Sequence, residues 1–322
     1  MIRRFYIMPL NAGLTKEQVD ELVSGMNATD EFLDGISDSW TGLDEDTATA
    51  IWENNLINEE MYSGPYMHHP YHAGTLDEYL MADSPRCWTH DTFTVRYMMD
   101  DDQPRPEKGI RRLMLLKIPE DAGTAELEAL AASPAHMSAS VFKADTIGWV
   151  SPKGRAWTHV WEQSFADREV LKTYLQTRDG QATTSMERLK RLGVDLDALK
   201  VFTYSFDVSE RKHAKPISDE EIPAFYALTA RLKIDDADTF IDLLRTCYDP
   251  YVTEAGGKLH QRFRTVEAGY PWVEVQSIWE LKSVAAYHDL RMGTGRHPGW
   301  TRFVTDAMPL VIDGSRRFYR AS

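Results

Sequence analysis

Short apolar runs recur along the chain at regular intervals. Phe5 to Leu10, Leu113 to Ile118 and Phe225 to Ile234 are rich enough in aliphatic and aromatic residues to form buried strands. The first two follow basic pairs, Arg3-Arg4 and Arg111-Arg112, and the third opens just after Pro223. A helical pattern with a start signal follows each run. Thr15-Lys16-Glu17-Gln18 predicts a capping box, because the Thr15 hydroxyl can accept from the Gln18 backbone while the Gln18 side chain reaches back. Thr124 precedes Ala125 to Ala132, and Asp235 or Asp236 precedes Ala237 to Tyr248, where Phe240, Leu243 and Leu244 make an apolar stripe.

Beyond each helix stands a pair of strand-like runs, the second with a Trp-Glu step: Trp52-Glu53, Trp161-Glu162 and Trp279-Glu280. A tyrosine comes next in a helical stretch (Tyr66, Tyr174, Tyr287), and closing strands are expected over Thr92 to Met98, Lys200 to Val208 and Arg316 to Arg320. Features in a common order at a period of about 110 residues are an internal repeat. The unit reads strand, helix, strand, strand, helix, strand. That order predicts an α+β fold of three tandem ferredoxin-like repeats, each an antiparallel sheet with helices on one face. Charged, proline-bearing stretches at 100–106 and 209–223 place the repeats at 1–103, 104–215 and 216–322. The bare face of such a sheet must be buried. Two repeats are therefore expected to pack sheet to sheet within the chain, and the third to pair with its counterpart in a symmetric homodimer.

Composition narrows the partners. With 322 residues, 43% hydrophobic and 27% charged, the chain has material for real cores. A net charge of −14 argues against nucleic acid or an anionic membrane surface. Arg188, Lys190 and Arg191 read as one solvated helix face. No window approaches the ~18 apolar residues of a membrane span. Met1 to Phe5 shows no signal-peptide pattern, and Cys87 and Cys247 are too far apart for metal spacing, so a cytoplasmic protein with two free thiols is expected.

The histidines, unlike the frame, are not repeated. Tyr66-Met67-His68-His69-Pro70-Tyr71-His72 holds three of the chain's ten. Where the first repeat has His69 and His72, the second has Thr177 and Gly180 and the third Leu290 and Gly293. An imidazole titrates near neutrality, so His72 can act as a base, and the Tyr66 phenol can hold an enolate oxygen. Such a pair suits proton abstraction beside a carbonyl and needs no cofactor. His69 would assist or orient; His68, Trp40, Trp52 and Tyr71 are the candidate binding residues. Two other readings fit the same residues. His69 and His72 could finish a His-Pro turn, or His68, His69 and His72 could hold zinc, iron or haem through their helical spacings. Trp157, His159 and Trp161 alternate and are expected to share one strand face, while His213, His260 and His288 read as surface residues. No phosphate-binding glycine loop or serine-nucleophile elbow is present.

These motifs resemble the dimeric α/β-barrel superfamily, particularly its stress-responsive A/B barrel (Dabb) type. Trp40-Thr41-Gly42, the Trp52-Glu53 step and the Tyr-x-x-His-Pro-x-His pattern from Tyr66 to His72 carry the likeness. The first repeat is similar to olivetolic acid cyclase-like domains, in which a tyrosine and the last histidine serve catalysis; by motif those roles fall on Tyr66 and His72. Those domains have a histidine on the first strand, where this chain reads Arg4-Phe5-Tyr6. The third repeat is similar to NIPSNAP-like domains through Trp279 and Trp300-Thr301-Arg302-Phe303. The resemblance implies a cofactor-independent lyase, cyclase or isomerase acting on a small apolar carbonyl or phenolic compound, aromatic or polyketide-like, in the first repeat's cavity. It also leaves a non-catalytic stress-responsive binding and dimerisation protein, or a haem- or metal-binding barrel, as alternatives.

Overall fold

The computed structural model describes residues 1–99, 106–119, 138–148, 157–177, 189–190, 193–209, 224–266, 270–292 and 297–319. The helix expected over Ala125 to Ala132, its Thr124 cap, most of both linkers, and Gly180, Arg188, Arg191, His213 and Gly293 lie outside these residues.

The fold is α+β, built from three ferredoxin-like repeats. The first supplies β1 (Ile2–Pro9), β2 (Ile36–Leu43), β3 (Thr49–Leu56) and β4 (Phe93–Met98). The second supplies β5 (Lys108–Leu116), β6 (Ser138–Lys143), β7 (Asp145–Gly148), β8 (His159–Phe165) and β9 (Lys200–Asp207). From the third come β10 (Ala224–Lys233), β11 (Lys258–Arg264), β12 (Trp272–Leu281) and β13 (Val311–Tyr319). The sheet orders are β2-β3-β1-β4-β7, β6-β8-β5-β9 and β11-β12-β10-β13, all pairs antiparallel. In each repeat the first strand thus lies between the last two, the ferredoxin-like arrangement. The closing strand expected over Arg316 to Arg320 begins earlier, at Val311. The Thr15 capping box forms as read: Thr15 Oγ1 accepts from the Gln18 N–H, and Gln18 Oε1 accepts from the Thr15 N–H at 2.8 Å.

By packing the chain divides into two compact units. One joins residues 1–59 to 89–215, and the other joins 60–88 to 216–322.

In the first unit, the sheets of repeats one and two face each other across a core that includes Phe5, Ile7, Val95, Leu113, Leu115 and Phe202. The edges are closed as well. Strand β7 leaves the second repeat to pair with β4. On the other side Trp40 Nε1 donates to the Ser205 carbonyl (2.8 Å), and the Thr203 N–H donates to Asp44 Oδ1 (2.7 Å). The two sheets are thereby tied together along both sides.

The repeated basic pairs and Trp-Glu steps now have a physical reason. Strand alternation sends Trp52 to the helix side and Glu53 into the barrel, where it meets the first arginine of each pair. Arg3 reaches Glu53 at 3.0 Å and Glu162 at 3.5 Å; Arg111 reaches Glu162 at 2.7 Å and Glu53 at 3.2 Å. Tyr97 donates to Glu162 and Tyr204 to Glu53, each at 2.8 Å. Three residues from each repeat thus form one buried, pseudo-symmetric network. Gly42 belongs to the same fit, because a Cβ there would run into the Tyr204 ring. The second arginines turn the other way: Arg4 lies over the Trp52 ring at 4.5 Å, and Arg112 donates to Gln163 at 2.7 Å. One expectation fails. Trp157 precedes β8 and packs in the barrel core, while Trp161 packs in the cluster with Met114, Leu116 and Leu189, so the two do not share a face.

In the second unit, Tyr226, Leu228, Ala230 and Leu232 of β10 and Val273, Val275 and Trp279 of β12 point toward the helices. Ala73, from the first repeat, belongs to this same core. The opposite sheet face carries Phe225, Ala227 and Arg231 of β10, Glu274, Ile278 and Glu280 of β12, Phe263 of β11 and Tyr319 of β13. Phe263 and Tyr319 are 44% and 51% exposed. The position matching Arg3 and Arg111 is Pro223, outside the described residues, and Glu280 stands exposed.

Candidate functional site

The histidine-bearing segment does not continue as a regular helix. It passes from a short α-turn, Glu59–Met61, through π-helical turns at Tyr62–Tyr66 and Tyr71–Leu76, to an α-turn at Asp77–Leu80. Pro65 and Pro70 lack the N–H groups a continuous α-helix needs there, which accounts for the widened turns. Wide turns of this kind recur at functional sites in other proteins. Tyr66 ends one and His72 sits in the next.

These two residues are brought together. Their rings meet edge to face with centroids 4.4 Å apart, and they are 2% and 6% exposed. Tyr62 stacks on Tyr66 at 5.8 Å. His69 is placed differently. Its Nδ1 accepts the Tyr71 N–H at 3.0 Å, so this ring does finish the His-Pro turn, while its Nε2 is buried without a hydrogen-bond partner among the described residues. That burial holds the His69 imidazole down to about 4, so it is neutral at physiological pH. His68 turns to the His288 ring, 5.2 Å away. His288, expected at the surface, is only 8% exposed, because its helix Val284–Met292 packs under the third sheet.

The candidates Trp40 and Trp52 belong to the first unit, not to the one holding Tyr66, Tyr71 and His72. Trp40 spans the barrel edge to Ser205, and Trp52 is buried with its Nε1 on Ser39 Oγ at 2.9 Å. Both have structural duties in place. The expected cavity inside the first repeat is corrected accordingly: the segment carrying Tyr66, His69, Tyr71 and His72 folds with the third repeat's core. No group of three His, Cys, Asp or Glu side chains placed to hold a metal ion occurs among the described residues.

A second cluster was not singled out from the sequence. Asp83, from the same segment, is buried against Arg316 (Nη1 to Oδ1, 2.8 Å), Arg291 (Nη2 to Oδ1, 3.4 Å) and Tyr248 (O–H to Oδ2, 3.1 Å). Burial alone would raise the Asp83 carboxyl, but Arg291 and Arg316 outweigh it and hold it below its ordinary range. Tyr226 lies 3.0 Å from the Tyr248 hydroxyl, and Arg291 donates to the Tyr287 hydroxyl at 2.6 Å. The available signals were the repeated Tyr287 and the Arg316-Arg317 pair in a closing strand; Asp83 had none.

No family model matches the chain, and no curated protein matches it. Among solved structures it is similar to a NIPSNAP family protein from Agrobacterium tumefaciens, at 16% identity over 34% of this chain and 93% of that one, with a TM-score of 0.28. It is also similar to a NIPSNAP domain protein from Burkholderia xenovorans, at 13% over 31% and 94%, TM-score 0.27. An anthrone oxidase-like protein matches at 13% over 67% of this chain and 96% of its own, TM-score 0.47. The strand order, not these likenesses, places the chain among the ferredoxin-like α/β folds. Such folds host many unrelated chemistries, so function has to be argued from the site. Among the described residues no helix is long and apolar enough to cross a membrane.

Proposed function

We propose that the chain is a cofactor-independent acid–base enzyme, a lyase, cyclase or isomerase, acting on a small apolar carbonyl or phenolic compound of aromatic or polyketide-like type. The contact between Tyr66 and His72 carries this reading: a base and a phenol, six residues apart in sequence, lie ring to ring in a buried setting. His72 takes the proton beside the substrate carbonyl, and Tyr66 donates a hydrogen bond to the enolate oxygen that forms. His69, neutral and committed to the Tyr71 N–H, orients the turn rather than touching the reacting atoms.

Deuterium exchange at the α-carbon of phenylacetone in D2O, followed by NMR, tests the step without knowledge of the natural substrate. The wild-type chain accelerates exchange. His72→Ala lowers the rate about a hundredfold, and Tyr66→Phe at least about tenfold, with melting temperatures little changed. Loss of folding in His72→Ala would instead assign that ring to finishing the turn. Exchange no faster than buffer with the wild-type chain sinks the proposal.

The proposal extends to assembly as a homodimer through the uncovered face of the third sheet. Support comes from the first unit, where the matching faces of two repeats cover one another.

A further inference from the structure

The segment that carries Tyr66 and His72 is poorly equipped to hold its own shape. Its helical stretches, 59–68 and 70–80, are each shorter than the ~12–15 residues at which an isolated helix becomes even marginal. Its turns at Tyr62–Tyr66, Tyr71–Leu76 and Asp77–Leu80 have no side-chain cap bond. The shape has to come from what the segment rests on, and that is the third repeat. Ala73 belongs to its core, and Gly74 lies so near Phe318 of β13 that a Cβ there would stand 3.3 Å from the ring.

The seat is charged as well as apolar. Asp77, Glu78 and Asp83 of the segment meet Arg291, Arg316 and Arg317 of the third repeat. Arg316 holds Asp83 Oδ1 through Nη1 at 2.8 Å, and its backbone N–H donates to Glu78 Oε1 at 3.1 Å. Arg317 Nη1 donates to Glu78 Oε2, and Arg291 Nε lies 3.8 Å from Asp77 Oδ2. Glu78 and Asp83 are each 1% exposed, so neither could be buried cheaply without these partners. The backbone carries the anchor to the pair: the Asp77 N–H donates to the His72 carbonyl, the Met81 N–H to the Asp77 carbonyl (3.1 Å) and the Ser84 N–H to the Met81 carbonyl (2.8 Å). The guanidinium is particular to the third repeat. In each sheet the tryptophan of the Trp-Glu step is aligned with one residue of the first strand and one of the last: Tyr226 and Phe318, Tyr6 and Thr94, Met114 and Val201. Two positions before those last residues stand Arg316, Thr92 and Leu199.

We propose that Asp83 and Glu78, held by Arg316 and Arg317, are positioning residues for the Tyr66–His72 pair: the third repeat seats the segment from the first and fixes how base and phenol stand to each other. The inference rests on the reading of that pair as acid–base groups. Charge makes the seat specific, because a segment with buried carboxylates is rejected wherever the arginines are missing. Small displacements of reacting groups are costly in rate, so a seat remote from the chemistry still governs it.

NMR of the full chain reads the pair directly, since the Tyr66 ring, 4.4 Å away, shifts the His72 ring protons. Asp83→Asn, Glu78→Gln and Arg317→Met are each expected to move those signals toward free histidine. Each also speeds amide exchange at 70–80 at least about tenfold, while the amides of β1 and β3 keep their protection. Arg317→Lys, which keeps the charge, restores most of both. In the phenylacetone assay the three neutral variants lose about tenfold in kcat with KM little changed. Arg317 is half exposed, so its two variants decide the matter even where Asp83→Asn fails to fold. Wild-type His72 signals and amide exchange in the neutral variants overturn the proposal. Protection lost equally from β1 and β3 also overturns it, since the residues would then serve only overall stability. A wild-type chain inert toward phenylacetone, with His72 signals that still respond to the variants, sinks the acid–base reading and leaves the seat. An active chain whose variants keep wild-type signals and rate sinks the seat alone.

Discussion

His69 illustrates how a side chain's place can be read from sequence while two roles for it stay open. Its place beside Pro70 suggested either chemistry or a turn, and the 3.0 Å bond from the Tyr71 N–H assigns it to the turn. The same burial makes a pH signature. The folded-state value of about 4 lies below the ordinary 6.5, so between these values the unfolded chain binds a proton that the native chain refuses. The stability it contributes is full above about 6.5 and is lost as pH falls toward about 4. Thermal melts from pH 7 to 4 should therefore fall less steeply for His69→Gln than for wild type. Parallel curves would show that the ring is not held neutral by the fold.

Local signals performed unevenly among the elements. The Thr15 capping box was written in four consecutive residues, since a cap depends only on near neighbours. Thr15→Ala should lower stability by about 1 kcal/mol, read from urea melts. The wide turns at Tyr62–Tyr66 and Tyr71–Leu76 were foreshadowed by Pro65 and Pro70, but which rings they bring together was not. Gly42 is the opposite case. Nothing near it in sequence requires a glycine; the reason is Tyr204, about 160 residues away. Gly42→Ala should cost about 1–3 kcal/mol through overpacking, and adding Tyr204→Ala should relieve much of that cost. A Gly42→Ala chain as stable as wild type would mean that the two strands can part without penalty.

At the scale of the molecule, the barrel of the first unit is joined through charge as well as apolar surface. Arg3, Glu53, Arg111 and Glu162 are all buried, and breaking one partner leaves others uncompensated. Arg111→Met should destabilise the chain by about 3–5 kcal/mol in denaturant unfolding, whereas the same change at the exposed Arg302 should be nearly neutral. The third sheet has the glutamate, Glu280, but Pro223 where the arginine would be. Its bare face cannot build the same network, and the proposed homodimer through it would rest on Phe225, Ile278, Phe263 and Tyr319. Light scattering should give a dimer that Phe263→Glu with Ile278→Asp converts to monomer; a wild-type monomer would rule that assembly out.

Repetition made the fold legible in the sequence. Arginine pairs, Trp-Glu steps and tyrosines at a common period fix the strand and helix order, because alternation and helical spacing are local properties of the chain. The candidate pair was legible too, since Tyr66 and His72 lie within seven residues. Packing partners were not. That residues 60–88 fold with the third repeat, that Arg3 meets Glu162, and that Asp83 gathers Arg291, Arg316 and Tyr248 all depend on contacts between residues more than a hundred positions apart. Which surfaces bury one another is settled by complementary shape, charge and hydrogen bonding across the whole chain, and only the tertiary structure decides it.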